Sequence, residues 1–424
     1  MSLVSSGGTA TYLSEADSLI KTDARKAESL YQKVLQTPKG SDDALKDQES
    51  ALIKLGQLYR DEKNASALAE LVKTSRGFMS AAAKAKTAKL IRTLINYFSE
   101  IPGSEKVQIE VTQDNIEWAR SEKRIFLKQS LEARLIALHL DTENYRPALA
   151  LIDSLLKELK RLDDKETLTE VHLLESRVYR GLNNLAKAKT SLTSARTAAN
   201  AIYCPPPLQA QLDLQSGILH AEDKDYKTAY SYFFETFENL SAQDDPNALN
   251  ALKYMLLCKI MLNLPEDVNS LLSIKLAIRY AQLREIESMR AIARAHQRRN
   301  LADFEKALKD YREELSSDPT IRSHLAALYD TLLEQNLLRI VEPYSNVEIA
   351  YVAEMVGQGV PQVEAKLSQM ILDKVLNGVL DQGNGTLVVF DEPVADEAYP
   401  MAIQTIGQIG KVVEALYAKT IKIA

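Results

Sequence analysis

The chain has 424 residues, 46% of them apolar and 26% charged, which is typical of a folded protein too long for one hydrophobic core. Its 15 glycines and 13 prolines are too few for the many tight turns of an all-β fold. A net charge of −6 argues against a nucleic-acid partner, because binding to phosphates needs basic surface.

The first residues of the chain and its cysteines limit the expected cellular location. Residues 1–10 have no basic segment followed by an apolar core, so we expect a short flexible lead-in rather than a signal peptide. No run of about 18 apolar residues is present, so we expect no membrane partner. Two cysteines, Cys204 and Cys258, cannot form a disulfide framework and fit a reducing compartment. The expected location is therefore the cytoplasm and the nucleus.

A pattern of the form apolar-x-x-Ala-x-x-x-apolar recurs with a period of about forty residues. Successive clear copies begin 40, 41 and 78 residues apart, and 78 is close to two periods. The clear copies are Tyr145/Ala148/Ile152, Leu185/Ala188/Leu192, Tyr226/Ala229/Phe233 and Phe304/Ala307/Tyr311. Weaker copies are Ala24/Ala27/Tyr31, Ala65/Leu68/Val72 and Leu264/Asp267/Leu271, in which aspartate replaces the small residue.

Spacings of three and four residues place each copy on one face of a helix, and the alanine permits another helix to cross closely. An amphipathic run precedes the copies, for example at 127–140, 167–179 and 209–220. We interpret residues 11–318 as a tetratricopeptide-like solenoid of stacked helical hairpins. An irregular helical bundle with an accidental period is the alternative.

Two basic clusters on these helices are candidate partner interfaces. Arg290, Arg294 and Arg298 recur every four residues and line one helix face, with Arg299 beside them. Arginine is favoured at interfaces, so the stripe is a candidate anchor for an acidic surface, although Glu285 and Glu287 can offset it as part of a solvated face. The second cluster, with the same two interpretations, consists of Lys84, Lys86, Lys89 and Arg92.

Residues 319–392 predict a winged helix, which combines three helices with a short strand and a hairpin. The helices are expected at 321–336, at 347–355 with Asn346 as N-cap, and at 361–376, and the short extended run at 338–341. The hairpin is expected to pair 378–380 with 387–390 around a Gly-Asn-Gly turn. The third helix has an apolar face of Val363, Leu367, Met370 and Ile371.

The third helix also bears on whether this winged helix reads DNA. It carries Lys366 and Lys374 against Glu364 and Asp373, and it contains no arginine. A recognition helix normally offers Arg, Lys, Asn or Gln to bases and phosphates. We therefore expect the winged helix to pack against protein.

The last segment, 398–424, predicts a single helix after an acidic linker. Apolar residues follow alternating spacings of four and three, which is an a/d seam suited to a helical bundle. Packing of this helix on its own winged helix is the alternative. The seam consists of Ala402, Ile406, Ile409, Val413, Leu416, Thr420 and Ile423.

Long stretches resemble one protein family. The segment 321–390, which contains LLEQNLLRIVEPYSNVEI and VEAKLSQMILDKVLNGVLDQGNGTLVVFDEP, resembles the PCI domain of proteasome lid, signalosome and initiation-factor scaffolds. The runs EWARSEKRIFLKQSLEARL, YKTAYSYFFETFE and LADFEKALKDYREEL narrow this resemblance to the PCI subunits of the proteasome regulatory particle lid. The similarity covers 117–424.

The resemblance implies an all-α, non-catalytic scaffold that stabilises the proteasome for ubiquitin-dependent protein degradation. In that family the helical repeats contact the ATPase ring and the α subunits of the core particle. The PCI domain packs against other lid PCI subunits, and the C-terminal helix joins the lid helical bundle. A signalosome or initiation-factor scaffold, or a nucleic-acid-binding PCI protein, is the alternative.

No catalytic, cofactor-binding or metal site is predicted. The histidines His139, His172, His220, His296 and His324 are far apart, and no HxH, HExxH or CxxC spacing occurs. The run TIGQIGK at 405–411 lacks the first glycine and the hydroxyl residue of a phosphate loop. We expect neither an enzyme nor a cofactor.

Overall fold

A computed structural model describes residues 7–19, 24–36, 42–79, 84–264, 266–298, 300–316, 318–390 and 398–421. The chain divides into two compact units, Met1–Met255 and Leu256–Ala424, and helix α13 contains the boundary. The helices up to this boundary are α1 Gly7–Leu19, α2 Ala24–Gln36, α3 Asp42–Asp61, α4 Ala65–Met79, α5 Lys84–Ser99, α6 Glu105–Ser121, α7 Ile125–Asp141, α8 Tyr145–Leu162, α9 Lys165–Gly181, α10 Leu185–Ala199, α11 Pro206–Glu222, α12 Tyr226–Ala242 and α13 Ala248–Met261.

The central alanine of the repeated pattern lies where helices pack most closely. Ala148, Ala188 and Ala229 are in the first turns of α8, α10 and α12, and each is fully buried. A methyl side chain permits interaxial distances at the short end of about 8–10 Å. Helix α9 packs on α10, α11 packs on α12, and alternate helices such as α7 and α9 also touch. These contacts confirm the prediction of stacked helical hairpins.

The helices are joined by tight turns that share one backbone conformation. At the turns the residue with positive φ is Gly103, Lys123, Glu143, Asp163 or Asn183, one every 20 residues. After Lys123, Glu143 and Asn183 the next residue closes the turn onto the preceding helix, as when the Asn144 amide donates to the His139 carbonyl at 2.8 Å. This six-to-one bond is part of the Schellman motif, which satisfies the last carbonyls of a helix. The forty-residue repeat is therefore built from two half-units of equal length.

Two repeat-level expectations differ from the structure. The weak copy at Leu264 does not form a full helix, since α14 spans only Asp267–Leu272. Asp267 lies where a small residue is needed for close packing and instead pairs with Lys259 Nζ at 2.9 Å. At the beginning of the chain, α1 starts at Gly7, within the expected lead-in, and residues 1–6 lie outside the described residues.

The second unit continues with short helices and then the winged helix. Its remaining elements are α14 Asp267–Leu272, α15 Arg284–Arg298, α16 Leu301–Asp310, α17 Arg312–Ser316, α18 Pro319–Val341, β1 Asn346–Glu348, α19 Ile349–Val356, α20 Val360–Leu372, β2 Gly378–Asp381, β3 Thr386–Val389 and α21 Ala398–Ile421.

Three antiparallel strands in the order β1-β3-β2 form the wing, with Val347 opposite Leu387 and Leu387 opposite Leu380. Helices α18, α19 and α20 bury Leu337, Val352, Val363, Leu367 and Met370 against this sheet in one core. The structure thus confirms the three helices, the hairpin and the predicted apolar face of the third helix.

The predicted short strand is misplaced. Residues 338–341 are the end of α18, because Leu337 and Val341, four residues apart, are both fully buried on one helix face. The strand instead follows Pro343, at Asn346–Glu348. Asn346 is consequently a strand residue paired with Val388, and the prediction that it caps the second helix is wrong.

Candidate protein–protein interfaces

Helix α21 presents its apolar side chains to solvent. Ile406, Ile409, Val413 and Leu416 of the predicted seam are each 57–69% exposed. The alternative in which this seam packs on the chain's own winged helix is therefore not what the structure shows. Ile423, the last seam residue, lies outside the described residues.

The apolar surface of α21 is wider than an a/d seam. Tyr399, Ile403 and Tyr417 flank the seam and are 68–73% exposed, whereas Gln408 and Lys411 lie on the opposite side. At about 100° per residue, the apolar arc covers roughly 140° of the helix circumference. A helix lying on one surface needs an arc of only about 100°, so α21 is suited to insertion between two or more helices.

The predicted arginine stripe lies on α15 and is partly buried. Arg294 and Arg298 are exposed, and Arg298 has only a long 4.0 Å contact with Asp303. Arg290 is half-buried, and its Nε is buried without a hydrogen-bond acceptor. Among the described residues, Arg290 and Arg294 have no carboxylate within 4.0 Å, so neighbouring glutamates do not neutralise them through ion pairs. Arg299 is outside the described residues.

The second basic cluster lies on α5, in the first unit. The side chains of Lys84 and Lys86 lie outside the described part of the chain, whereas Lys89 and Arg92 are exposed. Arg92 lines a groove together with Arg134 of α7 and Arg177 of α9. Sequence reasoning missed the latter two, although positions 92, 134 and 177 are spaced by about one repeat.

The third helix of the winged helix offers little to a nucleic acid. Lys366 Nζ forms an ion pair with Glu334 Oε1 of α18 at 2.8 Å, and its side chain is mostly buried. Lys374 lies beyond the end of α20, in a left-handed turn. This geometry favours the interpretation of the winged helix as a protein-packing domain.

Exposed apolar side chains on the winged helix mark a further contact surface. Leu372 at the end of α20 is 79% exposed, and Val379 of β2 is 54% exposed. In the three-stranded sheet β2 is an edge strand, so its outer backbone groups are available to another chain. Phe390, immediately after β3, is also exposed.

The buried histidines of the described residues and the buried Cys258 lie on separate helices. Within the described ranges, no three His, Cys, Asp or Glu side chains lie close enough to hold a metal ion. His139, His172, His296 and His324 are buried on separate helices, and burial lowers the pKa of His139. Burial raises the pKa of the Cys258 thiol to about 12, which keeps it protonated and unreactive. None of the described helices is long and apolar enough for a membrane span.

Stacked helical hairpins that lead into a winged helix define the class of PCI-domain scaffold proteins, and comparisons with known proteins agree. Residues 308–391 match the PCI domain. Residues 9–142 match the N-terminal domain of 26S proteasome regulatory subunit RPN6, and 395–420 match the C-terminal helix domain of the same subunit. The helix that carries the exposed apolar arc is thus a recognised element of that subunit.

Full-length relatives identify the family. The probable 26S proteasome regulatory subunit rpn6 of Schizosaccharomyces pombe is 56% identical over 404 residues, which cover 95% of this chain and 96% of that protein. The 26S proteasome non-ATPase regulatory subunit 11 homolog of Arabidopsis thaliana is 48% identical, with the same coverage. The RPN6 subunit of Saccharomyces cerevisiae is 52% identical over 88% of this chain and 87% of that protein.

The chain therefore belongs to the Rpn6 family of 26S proteasome regulatory subunits. This assignment confirms the predicted proteasome family and the prediction of a non-catalytic PCI scaffold. It also decides against the signalosome and initiation-factor alternatives, which share the PCI domain but not the Rpn6-specific segments.

Proposed function

We propose that the chain joins the proteasome lid to the ATPase ring and to the α subunits of the core particle, and thereby stabilises the complex for ubiquitin-dependent degradation. The observation that carries this proposal is the exposed apolar arc of α21. Roughly 140° of apolar helix surface is favourable only when other helices cover it. The partners of α21 are accordingly the helices of other lid subunits, which together form the lid helical bundle.

The winged helix packs against other lid PCI subunits in this proposal. Leu372, Val379 and Phe390 supply exposed apolar surface, and β2 supplies an unpaired strand edge. An apolar centre beside backbone donors and acceptors is suited to a specific protein interface. Ion pairing of Lys366 with Glu334 removes one of the basic groups that a nucleic acid would need, so we propose no nucleic-acid partner.

The two basic clusters anchor the helical repeats to acidic surfaces of the ATPase ring and the core. Arg294 and Arg298 are exposed and, among the described residues, have no acidic partner at 3.5 Å or less, so an incoming carboxylate meets little competition. Charge reversal at both positions is expected to lower recovery of ATPase and core subunits. The matched control reverses Lys306 and Lys309, which are exposed on the neighbouring helix α16.

Affinity purification of the tagged chain from native lysate, followed by mass spectrometry, tests the assignment of α21. The intact chain is expected to recover lid, ATPase and core subunits, and a chain truncated after Glu397 is expected to lose the lid partners. A sharper version compares Ile406→Asp/Ile409→Asp with Gln404→Asp/Gln408→Asp, which places the same charges on the polar side of the helix. Equal recovery by the two double variants would refute a role for the apolar arc.

We also propose that the protein resides in the cytoplasm and the nucleus. Both Cys204 and Cys258 are free thiols, which suits a reducing compartment. Imaging of the tagged chain at its native expression level checks this proposal, and confinement to a secretory compartment would contradict it.

A further inference from the structure

A groove in the first unit is lined only by alternate helices of the repeat array. Its walls come from α5, α7, α9 and α11, the first helices of successive hairpins, and its volume is about 340 Å³. Because each hairpin contributes one helix, a segment lying across the groove would contact several repeats at once. None of the described residues that line the groove belongs to α21, to the winged helix or to the arginine stripe on α15.

Three arginines on three of these helices line the groove without ionic partners. Arg92 of α5, Arg134 of α7 and Arg177 of α9 have no carboxylate within 4.0 Å among the described residues. Arg134 Nη2 donates to Ser99 Oγ, but its Nε is buried and has no acceptor. A guanidinium offers five N–H donors, so most of the donor capacity of these side chains is unused.

Charged side chains in and around the groove are poorly solvated. The pKa of the Arg177 guanidinium is lowered, and desolvation is the largest cause. The attraction of Asp141 acts in the opposite direction and raises this pKa. Desolvation also raises the pKa of the Asp141 and Glu170 carboxyls, despite the attraction of Arg134 and Arg177 for the first and Arg92 for the second. An anion placed directly on the arginines would satisfy their donors, and its attraction would be stronger here than in water.

The placement of the arginines on three different helices along one groove suits an extended ligand. Neighbouring packed helices lie about 8–10 Å apart. Three residues of an extended polyproline-type chain span about 9 Å, so every third side chain can meet the next arginine. Between the arginines, the half-buried Ala137 and Leu174 offer apolar surface to the intervening residues.

We propose that this groove binds an extended acidic segment of a partner protein, with carboxylates at every third residue lying on Arg92, Arg134 and Arg177. The groove shares Arg92 with the second basic cluster, so the proposal rests on and deepens the anchoring role proposed for that cluster. It does not depend on the residues of α21 and the winged helix that are proposed to hold the chain in the lid. A nucleic acid would also present spaced anions, but it is a different class of ligand. The experiment below distinguishes it from an acidic peptide.

Fluorescence anisotropy with the purified full-length chain tests the proposal. The probe is a dye-labelled nonapeptide of three Glu-Ala-Leu repeats, and the matched probe replaces each glutamate with glutamine. Only the glutamate peptide is expected to bind, and Arg92→Glu/Arg177→Glu is expected to weaken it by about tenfold or more. The control Arg146→Glu/Lys227→Glu changes the same net charge at exposed positions outside the groove and is expected to stay within about twofold.

A neutral variant keeps the test decisive if charge reversal disturbs folding. Arg92→Gln/Arg177→Gln adds no repulsion and is expected to weaken binding by about fivefold or more, with an unchanged circular dichroism spectrum. Equal binding of the two peptides, or unaltered affinity of the folded glutamine variant, would overturn the proposal. Binding of a dye-labelled single-stranded RNA nonamer in preference to the glutamate peptide would overturn it as well.

Discussion

Replacement of Gly217 by alanine tests the close packing on which the helical repeats depend. A β-carbon at Gly217 of α11 would lie 2.6 Å from Cε1 and 2.8 Å from Cδ1 of the Phe233 ring on α12, whereas ordinary contacts are 3.4–4 Å. Phe233 is only 1% exposed and packs against Tyr254 with a ring-centroid distance of 5.1 Å, so the ring has little room to move.

The expected effect is the difference between two opposing contributions. Overpacking of a tight core costs about 1–3 kcal/mol. Alanine in place of glycine within a helix returns about 1 kcal/mol. The variant Gly217→Ala should therefore lower the local free energy of unfolding by up to about 2 kcal/mol.

Gly410→Ala is the matched control, since a β-carbon at Gly410 of α21 would meet nothing within 4 Å. The same chemical change should there increase helix stability by up to about 1 kcal/mol. Phe233→Leu should partly relieve Gly217→Ala in the double variant, with a coupling of about 0.5 kcal/mol or more.

Amide hydrogen exchange is the suitable assay, because the parts of a repeat array can open separately. Peptides from α11 and α12 should exchange faster in Gly217→Ala, and peptides from the winged helix should not change. Slower exchange in α11, as expected for the control in α21, would refute the packing argument.

Three further predictions follow from other parts of the fold. Glu143 has φ of 58° at a helix-ending turn, a left-handed conformation that glycine adopts more readily than other residues. Glu143→Gly should therefore raise the unfolding free energy by about 0.5–1 kcal/mol, and Glu143→Val should lower it, as measured by urea denaturation. Desolvation raises the pKa of the buried Glu132 carboxyl above 4.5, so ionisation of this carboxyl destabilises the folded state. The variant Glu132→Gln should therefore have a higher melting temperature than the native chain at pH 7. This difference should vanish as pH falls below 4.5, where the carboxyl is protonated in both the folded and the unfolded state. Ile409→Asp on the exposed side of α21 should change the unfolding free energy of the isolated chain by less than about 0.5 kcal/mol while abolishing recovery of lid subunits.

Periodicity and length alone determined the kinds of element. The alanine-centred pattern identified α8, α10 and α12 because a helix places residues three and four apart on the same face. The hairpin around Gly383–Gly385 was identified by turn chemistry, and the C-terminal helix by its sustained seam. Each of these signals is local, so neighbouring residues are sufficient to encode it.

Element boundaries and side-chain partners depended on tertiary packing. Leu337 and Val341 remain helical because both are buried against the winged-helix core, and residues 338–341 in isolation do not reveal that neighbour. The left-handed turns at Lys123, Glu143 and Lys224 use residues that carry no glycine signal, since backbone hydrogen bonds rather than residue type stabilise them.

The candidate interfaces also combine features that the sequence predicts with features that only the tertiary structure reveals. The sequence by itself determined that α21 has an apolar seam and that Arg290, Arg294 and Arg298 share a helix face, because both follow from helical spacing. Only the tertiary structure decided that the seam stays exposed. It also decided that Arg92 faces Arg134 and Arg177 across a groove, because stacking of repeats brings together residues about forty positions apart, and no local pattern records that proximity.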